Sequence, residues 1–139
     1  MLSTKLIDSI PRSIRIIRKF STECLGGYLT LQQYRVLNQI KEGHGQTQIS
    51  QTLQVSHAAI SKMINFLINK NFITRKAGED RRTQILKLTP EGKTMLDKVR
   101  KHVGKKLDVG IESLSAEEKI QLMQGLEVLD KLMIKMKEV

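Results

Sequence analysis

The stretch "GEDRRTQILKLTPEG", residues 78–92, combines a polar turn, an alternating apolar segment and a helix start. Its turn carries Arg81 and Arg82, and the flanking segments "FITRK" and "TQILKL" have the short β-branched or alternating pattern of strands. Thr89 and Pro90 predict the start of a helix, because threonine caps helices well and proline is tolerated in the first turn. The stretch therefore predicts a two-stranded hairpin with two guanidinium groups at its tip, although a lone arginine pair would indicate no more than a solvated turn.

A helix-turn-helix pattern precedes the hairpin in "TQISQTLQVSHAAISKMINFLINKNF", residues 47–72. We expect a short helix over about residues 47–53, a tight turn at residues 54–55, and a longer helix that Ser56 caps and that extends to about Lys70. The longer helix has an apolar face and a small, polar face, the latter formed by His57, Ala58, Ser61, Lys62 and Asn65. A hairpin directly after such a motif predicts a winged helix arrangement.

The charge of the chain indicates a polyanionic partner. Its 139 residues carry 24 Lys and Arg against 14 Asp and Glu, a formal net charge of +10. The excess is uneven, since residues 43–89 hold 7 basic and 2 acidic side chains whereas residues 90–139 hold 10 and 9. A basic excess in the region of the winged helix suits nucleic acid, because displaced counterions drive the association.

Long amphipathic segments lie at both ends of the chain. The first repeats apolar residues at three- and four-residue steps, with Pro11 as a kink or a late helix start: Ile7, Ile10, Ile14, Ile17 and Phe20. Near the other end, "SAEE" at residues 115–118 is a capping box that opens a last helix. That helix carries a stripe of Leu122, Leu126, Leu129, Met133 and Met136. Both stripes are longer than a winged helix needs for its own core.

The combined pattern resembles the MarR-type transcriptional regulators, a family of homodimeric winged helix DNA-binding proteins. The family's wing pattern is Asp-x-Arg, five residues, then Leu-Thr-x-x-Gly, and this chain meets it with Asp80, Arg82, Leu88, Thr89 and Gly92. The segments "LTLQQYRVL" and "VSHAAISKMINFLINKNFITR" also match the family, so the resemblance covers nearly the whole chain. Three positions depart from it: Gln54 and Asn71 replace the usual glycines, and Ser50 replaces a small residue that is typically alanine. At the end of the recognition helix, Asn71 is expected to adopt a left-handed conformation, where asparagine commonly replaces glycine.

The resemblance implies a fold and an assembly. We expect one mainly α domain over residues 1–139, with a winged helix-turn-helix lobe at residues 30–89 and a two-stranded β-hairpin as its wing. The terminal helices, residues 1–25 and 90–139, would form the dimerisation region, and intramolecular packing of both ends is the alternative. Many members also bind small, often phenolic or lipophilic molecules between the dimer arm and the DNA-binding lobe, and this chain's ligand is not named by its sequence.

The expected function is sequence-specific binding of double-stranded DNA by a homodimer that acts as a repressor at a pseudo-palindromic operator. On the recognition helix we expect Ser56, His57, Ala58, Ser61, Lys62 and Asn65 to contact DNA, with an ordinary exposed face as the alternative. In the wing, Arg75 and Lys76 are expected to contact phosphates, and Arg81 and Arg82 the minor groove. Asp80 is expected to orient one of those arginines through a charge-assisted hydrogen bond.

Cys24 suggests a second regulatory hypothesis. One branch of the family senses organic hydroperoxides through a reactive cysteine in its first helical region, near tyrosines, and Tyr28 and Tyr34 lie close to Cys24 in sequence. A reactive thiol needs cationic neighbours, and the adjacent Glu23 opposes this. We therefore favour a bystander cysteine over a redox sensor.

Other functional classes have weaker support. No catalytic set, metal-ligand spacing or phosphate loop is present, so we predict neither an enzyme nor a bound cofactor or metal. No apolar run approaches the roughly 20 residues of a membrane span, and we expect a cytoplasmic protein. The alternatives to a DNA-binding regulator are a winged helix module for protein-protein assembly and a binder of non-specific or single-stranded nucleic acid, which the scarcity of aromatic residues disfavours.

Overall fold

The computed structural model describes residues 1–80 and 84–137. Within them the chain forms six helices and one antiparallel two-stranded sheet, in the order α1 (Leu2–Leu25), α2 (Leu31–Lys41), α3 (Gln46–Leu53), α4 (His57–Asn69), β1 (Ile73–Ala77), β2 (Gln84–Leu88), α5 (Pro90–Ile111) and α6 (Ala116–Lys137). The expected mainly α fold with a hairpin wing is confirmed. In the described part of the chain no helix combines the length and the apolar character that crossing a membrane requires.

The chain divides into two compact units, Met1–Val103 and Gly104–Val139. The first unit has a core of fully buried aliphatic side chains from four helices and the first strand: Val36, Leu37, Ile49, Ile60, Ile64, Leu67, Ile73 and Val99. In the second unit, α6 buries no residue, although it carries many apolar side chains. Among the described residues, a hydrophobic core within a single chain is therefore confined to the first unit.

The first helix does not start late at its proline. It begins at Leu2 and continues through Pro11 to Leu25, where Gly26 ends it with a φ of 55°. Glycine adopts this left-handed conformation without steric cost, which is why the "LGG" segment terminates the helix.

The helix-turn-helix is held by local hydrogen bonds that the sequence partly predicts. Ser56 caps α4 as expected, its hydroxyl accepting a hydrogen bond from the Ala59 N–H at 3.1 Å. Gln54, at a position where the family usually has glycine, nevertheless adopts the left-handed conformation with a φ of 54°. The Ser50 hydroxyl donates to the Val55 carbonyl oxygen at 2.6 Å and so fixes this turn. Ser50, which replaces the usual alanine, thus adds a hydrogen bond to the turn. Gln54, which replaces the usual glycine, adds backbone strain.

A cluster of hydrogen bonds joins the end of α4, the hairpin and the start of α5. Asn71 has the expected left-handed conformation, with a φ of 63°. The hydroxyl of Thr89, which is buried, donates to the Asn71 carbonyl oxygen at 2.6 Å and accepts from the Gly92 N–H at 3.0 Å. The Thr89 N–H donates to the Phe72 carbonyl oxygen at 3.0 Å. We call Asn71, Phe72, Thr89 and Gly92 the wing junction, because these residues fix where the hairpin begins and ends.

The capping box of the last helix forms as the sequence predicts. The Ser115 hydroxyl accepts from the Glu118 N–H at 3.1 Å, and the Ser115 N–H donates to the Glu118 carboxylate at 2.9 Å. Hydrogen bonds that the Glu118 carboxylate receives from the backbone and side chain of Ser115 lower its pKa, because they stabilise its charged form.

We predict that Gly92→Ala destabilises the protein through a single close contact. A methyl group at this position would lie 2.2 Å from the backbone carbonyl oxygen of Phe72. The free energy of unfolding should fall by about 1–3 kcal/mol, measured by urea denaturation. Gly104→Ala is the control, because the added methyl meets no atom within 4 Å and removes a helix-interior glycine, which should raise stability by about 0.5–1 kcal/mol. Equal stability of the two variants would contradict the contact.

Candidate nucleic-acid interface

Helix α4 exposes a polar face because its apolar residues pack into the core on the opposite side. Ile60, Ile64 and Leu67 are buried, which orients the opposite side of the helix outward. On that side three polar residues are spaced by four positions and therefore lie on one face: His57, Ser61 and Asn65. We call these three the recognition stripe.

Gln46, the first residue of α3, contacts two members of the recognition stripe. Its amide nitrogen Nε2 lies 2.5 Å from the Ser61 Oγ and 3.3 Å from the His57 Nδ1. The packing of α3 against α4 brings these groups together across 11 and 15 residues of sequence. The stripe is therefore held in place by a neighbouring helix before any ligand is bound.

Arg75 contacts the third member of the stripe from the hairpin. Its Nη2 donates to the Asn65 Oδ1 at 3.0 Å, so the guanidinium of β1 is linked to the recognition helix. Successive side chains of a strand point to opposite faces, so Lys76 lies on the face away from Arg75. Of the two expected phosphate contacts in β1, the structure brings only Arg75 to the recognition stripe.

The recognition stripe and Arg75 line an open cavity with a volume of about 690 Å³, which we call the polar depression. Its described lining residues are Gly45, Gln46, Thr47, Gln48, His57, Ser61, Asn65, Arg75, Gln84 and Leu86. They include an arginine and no carboxylate. The start of α3 also belongs to this lining, and its N-cap Gly45 supplies no side-chain acceptor to the first-turn N–H groups. The polar depression thus combines a cation, amide and hydroxyl donors, and the positive end of a helix dipole.

The remaining expected contacts lie at the edge of this surface or outside the described residues. Ala58 and Lys62 are exposed on α4, and Ser56 is exposed at its N-terminus. Arg81 and Arg82 lie outside the described residues, so the expected minor-groove contact and its orientation by Asp80 stay predictions.

Sequence reasoning missed the contribution of α3. Gln46, Thr47, Gln48 and Gln84 line the polar depression, but none was expected to contact DNA. The first helix of a helix-turn-helix crosses the DNA backbone, and this general geometry is the signal that could have identified the N-terminal residues of α3.

A second cavity, of about 520 Å³, lies between the end of α2, strand β2 and the first turns of α5. We call it the apolar groove, because much of its lining is aliphatic: Ile40, Ile85, Leu86, Leu88 and Leu96. Lys41, Lys87, Lys93 and Asp97 also line it, which leaves an excess of positive charge.

The half-buried Cys24 lies outside both cavities. Its Sγ is 3.9 Å from the Lys98 carbonyl oxygen. No group of three or more His, Cys, Asp or Glu side chains within residues 1–80 and 84–137 could hold a metal ion.

A family model matches the part of the chain that contains the helix-turn-helix and the first wing strand. Residues 29–83 match the model of the MarR family. Over this region the chain is similar to the MarR family. No curated protein sequence matches the chain.

Solved structures extend the similarity of fold to nearly the whole chain. The transcriptional regulator Tm0710 from Thermotoga maritima is 19% identical, with a TM-score of 0.77 over 97% of this chain and 99% of its own. Wild-type MarR from E. coli is 23% identical, with a TM-score of 0.68 over 91% and 95%. A single-residue variant of MepR from S. aureus, bound to an oligodeoxyribonucleotide, is 21% identical, with a TM-score of 0.65 over 94% and 97%. The chain therefore has the winged helix fold of MarR family transcriptional regulators.

Proposed function

We propose that this protein is a sequence-specific DNA-binding repressor that acts as a homodimer at a pseudo-palindromic operator. The observation that carries the proposal is the polar depression, in which the recognition stripe and Arg75 of the wing share one concave surface whose described lining has no carboxylate. A surface of this kind complements a DNA duplex. Its hydrogen-bond donors and cation can bind phosphates, and its polar side chains can contact base edges. The MepR variant with bound oligodeoxyribonucleotide supports this use of the fold.

In the proposed complex each part of the surface has a distinct role. Helix α4 enters the major groove with its N-terminal end first, so the recognition stripe faces base edges. The uncapped start of α3 binds a phosphate through its backbone N–H groups. Arg81 and Arg82, which lie between β1 and β2 in the sequence and outside the described residues, would enter the adjacent minor groove, where the negative potential is enhanced. The net charge of +10 contributes affinity that is independent of sequence.

Selection of bound duplexes from a random pool tests this function. We expect one pseudo-palindromic sequence to be enriched, and Arg82→Ala to bind it about tenfold or more weakly in a mobility-shift titration, because a minor-groove guanidinium is removed. Arg100→Ala is the control, since it removes an exposed arginine of α5 and should retain affinity within about twofold. Recovery of no duplex from the pool would contradict the function and favour a protein-assembly module. Unchanged affinity of Arg82→Ala would contradict the role of the wing.

The exposed apolar side chains of α6 support the homodimer. Large apolar residues along this helix remain exposed in the single chain: Ile120, Leu122, Met123, Leu126, Val128, Leu132, Met133, Ile134 and Met136. Contiguous apolar surface of this extent is usually covered in a soluble protein. A second copy of the chain would cover it and would also present two recognition helices to one duplex.

We predict that a charge within the α6 stripe disrupts the dimer. In light scattering the wild type should have twice the chain mass of 15.9 kDa, and Leu126→Lys should shift it toward the mass of one chain. Gln121→Lys adds the same charge at an exposed position whose neighbours three and four residues away are polar residues and Gly125, and it should leave the mass unchanged. A wild type with the mass of a single chain would exclude the homodimer.

The apolar groove supports regulation by a small molecule. Its volume lies in the range of ligand pockets, and its aliphatic walls and three lysines suit a molecule with an apolar body and an anionic group. Because β2 forms one wall, an occupant would contact the wing strand that also borders the polar depression at Gln84 and Leu86. Binding could thereby alter affinity for DNA through the differential stability of two wing positions.

We predict that octanoate binds the apolar groove more tightly than 1-octanol does. Titration monitored by methyl NMR should shift the Ile85 signal, and Lys93→Glu should weaken octanoate binding about tenfold because it reverses one charge at the rim. Lys101→Glu makes the same change at an exposed α5 position outside the groove and should bind like the wild type. Equal binding of octanoate and octanol, or shifts confined to other residues, would contradict the charge argument.

A further inference from the structure

Two residues of the recognition stripe are held by one residue outside it. Gln46 is the first residue of α3, and its side chain reaches across to α4, where it contacts His57 and Ser61. We propose that Gln46 is a positioning residue for base recognition, which aligns these two side chains with the duplex and contacts no base itself. This inference rests on the proposed function and assigns part of its sequence specificity to the first helix of the motif.

A single amide group joins both side chains to α3. The Gln46 Nε2 donates to the Ser61 Oγ at 2.5 Å and lies 3.3 Å from the His57 Nδ1. His57 and Ser61 are four residues apart on α4, so their side chains lie one above the other and within reach of one amide. Because a glutamine amide has both donor and acceptor groups, it can pair with either tautomer of the His57 ring.

The two side chains depend on this amide for their order. Within residues 1–80 and 84–137, neither the His57 ring nor the Ser61 hydroxyl forms a hydrogen bond with any other side chain. His57 is exposed and Ser61 is half-buried, so without Gln46 both could change rotamer freely. Ordering a mobile side chain on binding costs affinity, and the contact with Gln46 removes that cost before DNA arrives.

Gln46 also lies where α3 would meet the DNA backbone. The first helix of a helix-turn-helix crosses the backbone, and in the proposed complex the start of α3 binds a phosphate. The same residue would then connect a phosphate contact with two base contacts. His57 and Ser61 could not adjust independently to a wrong base while α3 stays on its phosphate, so the connection favours discrimination between sequences.

Binding to two kinds of DNA provides the first test. Gln46→Met removes the amide at similar side-chain length and should weaken binding to the selected operator about tenfold, because two contacts are lost. Affinity for a non-specific duplex, and its salt dependence, should be unchanged because no charge is removed. Gln51→Met is the matched control, since it removes an exposed amide of α3 outside the polar depression and should retain operator affinity within about twofold.

A double-mutant cycle provides the second test, because it separates positioning from direct base contact. Ser61→Ala removes one of the two groups that Gln46 holds, so in this background the loss caused by Gln46→Met should shrink to about threefold. If Gln46 contacted a base directly, the loss would be the same in both backgrounds. Alanine is a good helix former, so α4 should be retained in this variant.

Side-chain dynamics of the free protein provide a third test that needs no operator. Carbon NMR relaxation of the His57 ring should show restricted motion in the wild type and larger motion in Gln46→Met, because the amide contact is absent. Gln51→Met should match the wild type. Urea denaturation of the same variants checks that the fold is intact, and the unfolding midpoint of Gln46→Met should be that of the wild type.

The outcomes separate this inference from the proposed function. Recovery of no duplex from the random pool would overturn both. Three results would overturn the positioning role and leave the regulator function standing: equal operator affinity of Gln46→Met and Gln51→Met, an undiminished loss in the Ser61→Ala background, or unchanged motion of the His57 ring. An equal loss on operator and non-specific DNA, or a lower urea midpoint for Gln46→Met, would also overturn it, because either result assigns Gln46 a general structural role.

Discussion

The wing junction is the constraint on which the rest of the first unit depends. A single hydroxyl, that of Thr89, bonds both the backbone that leaves α4 and the backbone that enters α5, and it is buried between them. Gly92 lies so close to the Phe72 carbonyl oxygen that a side chain there would force the backbone to shift. The hairpin is thereby anchored at its base, which determines where Arg75 meets Asn65 and so connects the wing with the recognition helix.

Much of the fold could be predicted from the sequence because its signals are local. Ser56, Thr89 and Asn71 adopt the predicted cap and left-handed roles, since each depends on a side chain and on backbone groups a few residues away. The contacts of Gln46 with the recognition stripe could not be predicted in this way, because they depend on how α3 crosses α4. The two-residue period of a strand places the side chains of Arg75 and Lys76 on opposite faces, and the assignment of both to phosphates stays a prediction.

Affinity and specificity arise from different parts of the surface. Basic residues spread over the winged helix supply attraction that any duplex satisfies, and salt weakens that attraction. The recognition stripe contains no formal charge when His57 is neutral, so it contributes through the direction of its hydrogen bonds. Because Gln46 and Arg75 already fix these side chains, less conformational entropy is lost when DNA binds.

The second unit differs from the first because its last helix does not pack into a core within a single chain. Helix α6 buries no residue in a single chain, and isolated helices are marginal in water without tertiary packing. Its capping box stabilises the start of the helix but contributes nothing to burial of the apolar side chains that follow. The helix therefore gains most of its stability from whatever covers those side chains. If that partner is a second copy of the chain, folding of this unit and assembly of the two recognition helices are one equilibrium, and a change in dimer stability is also a change in affinity for a two-part operator.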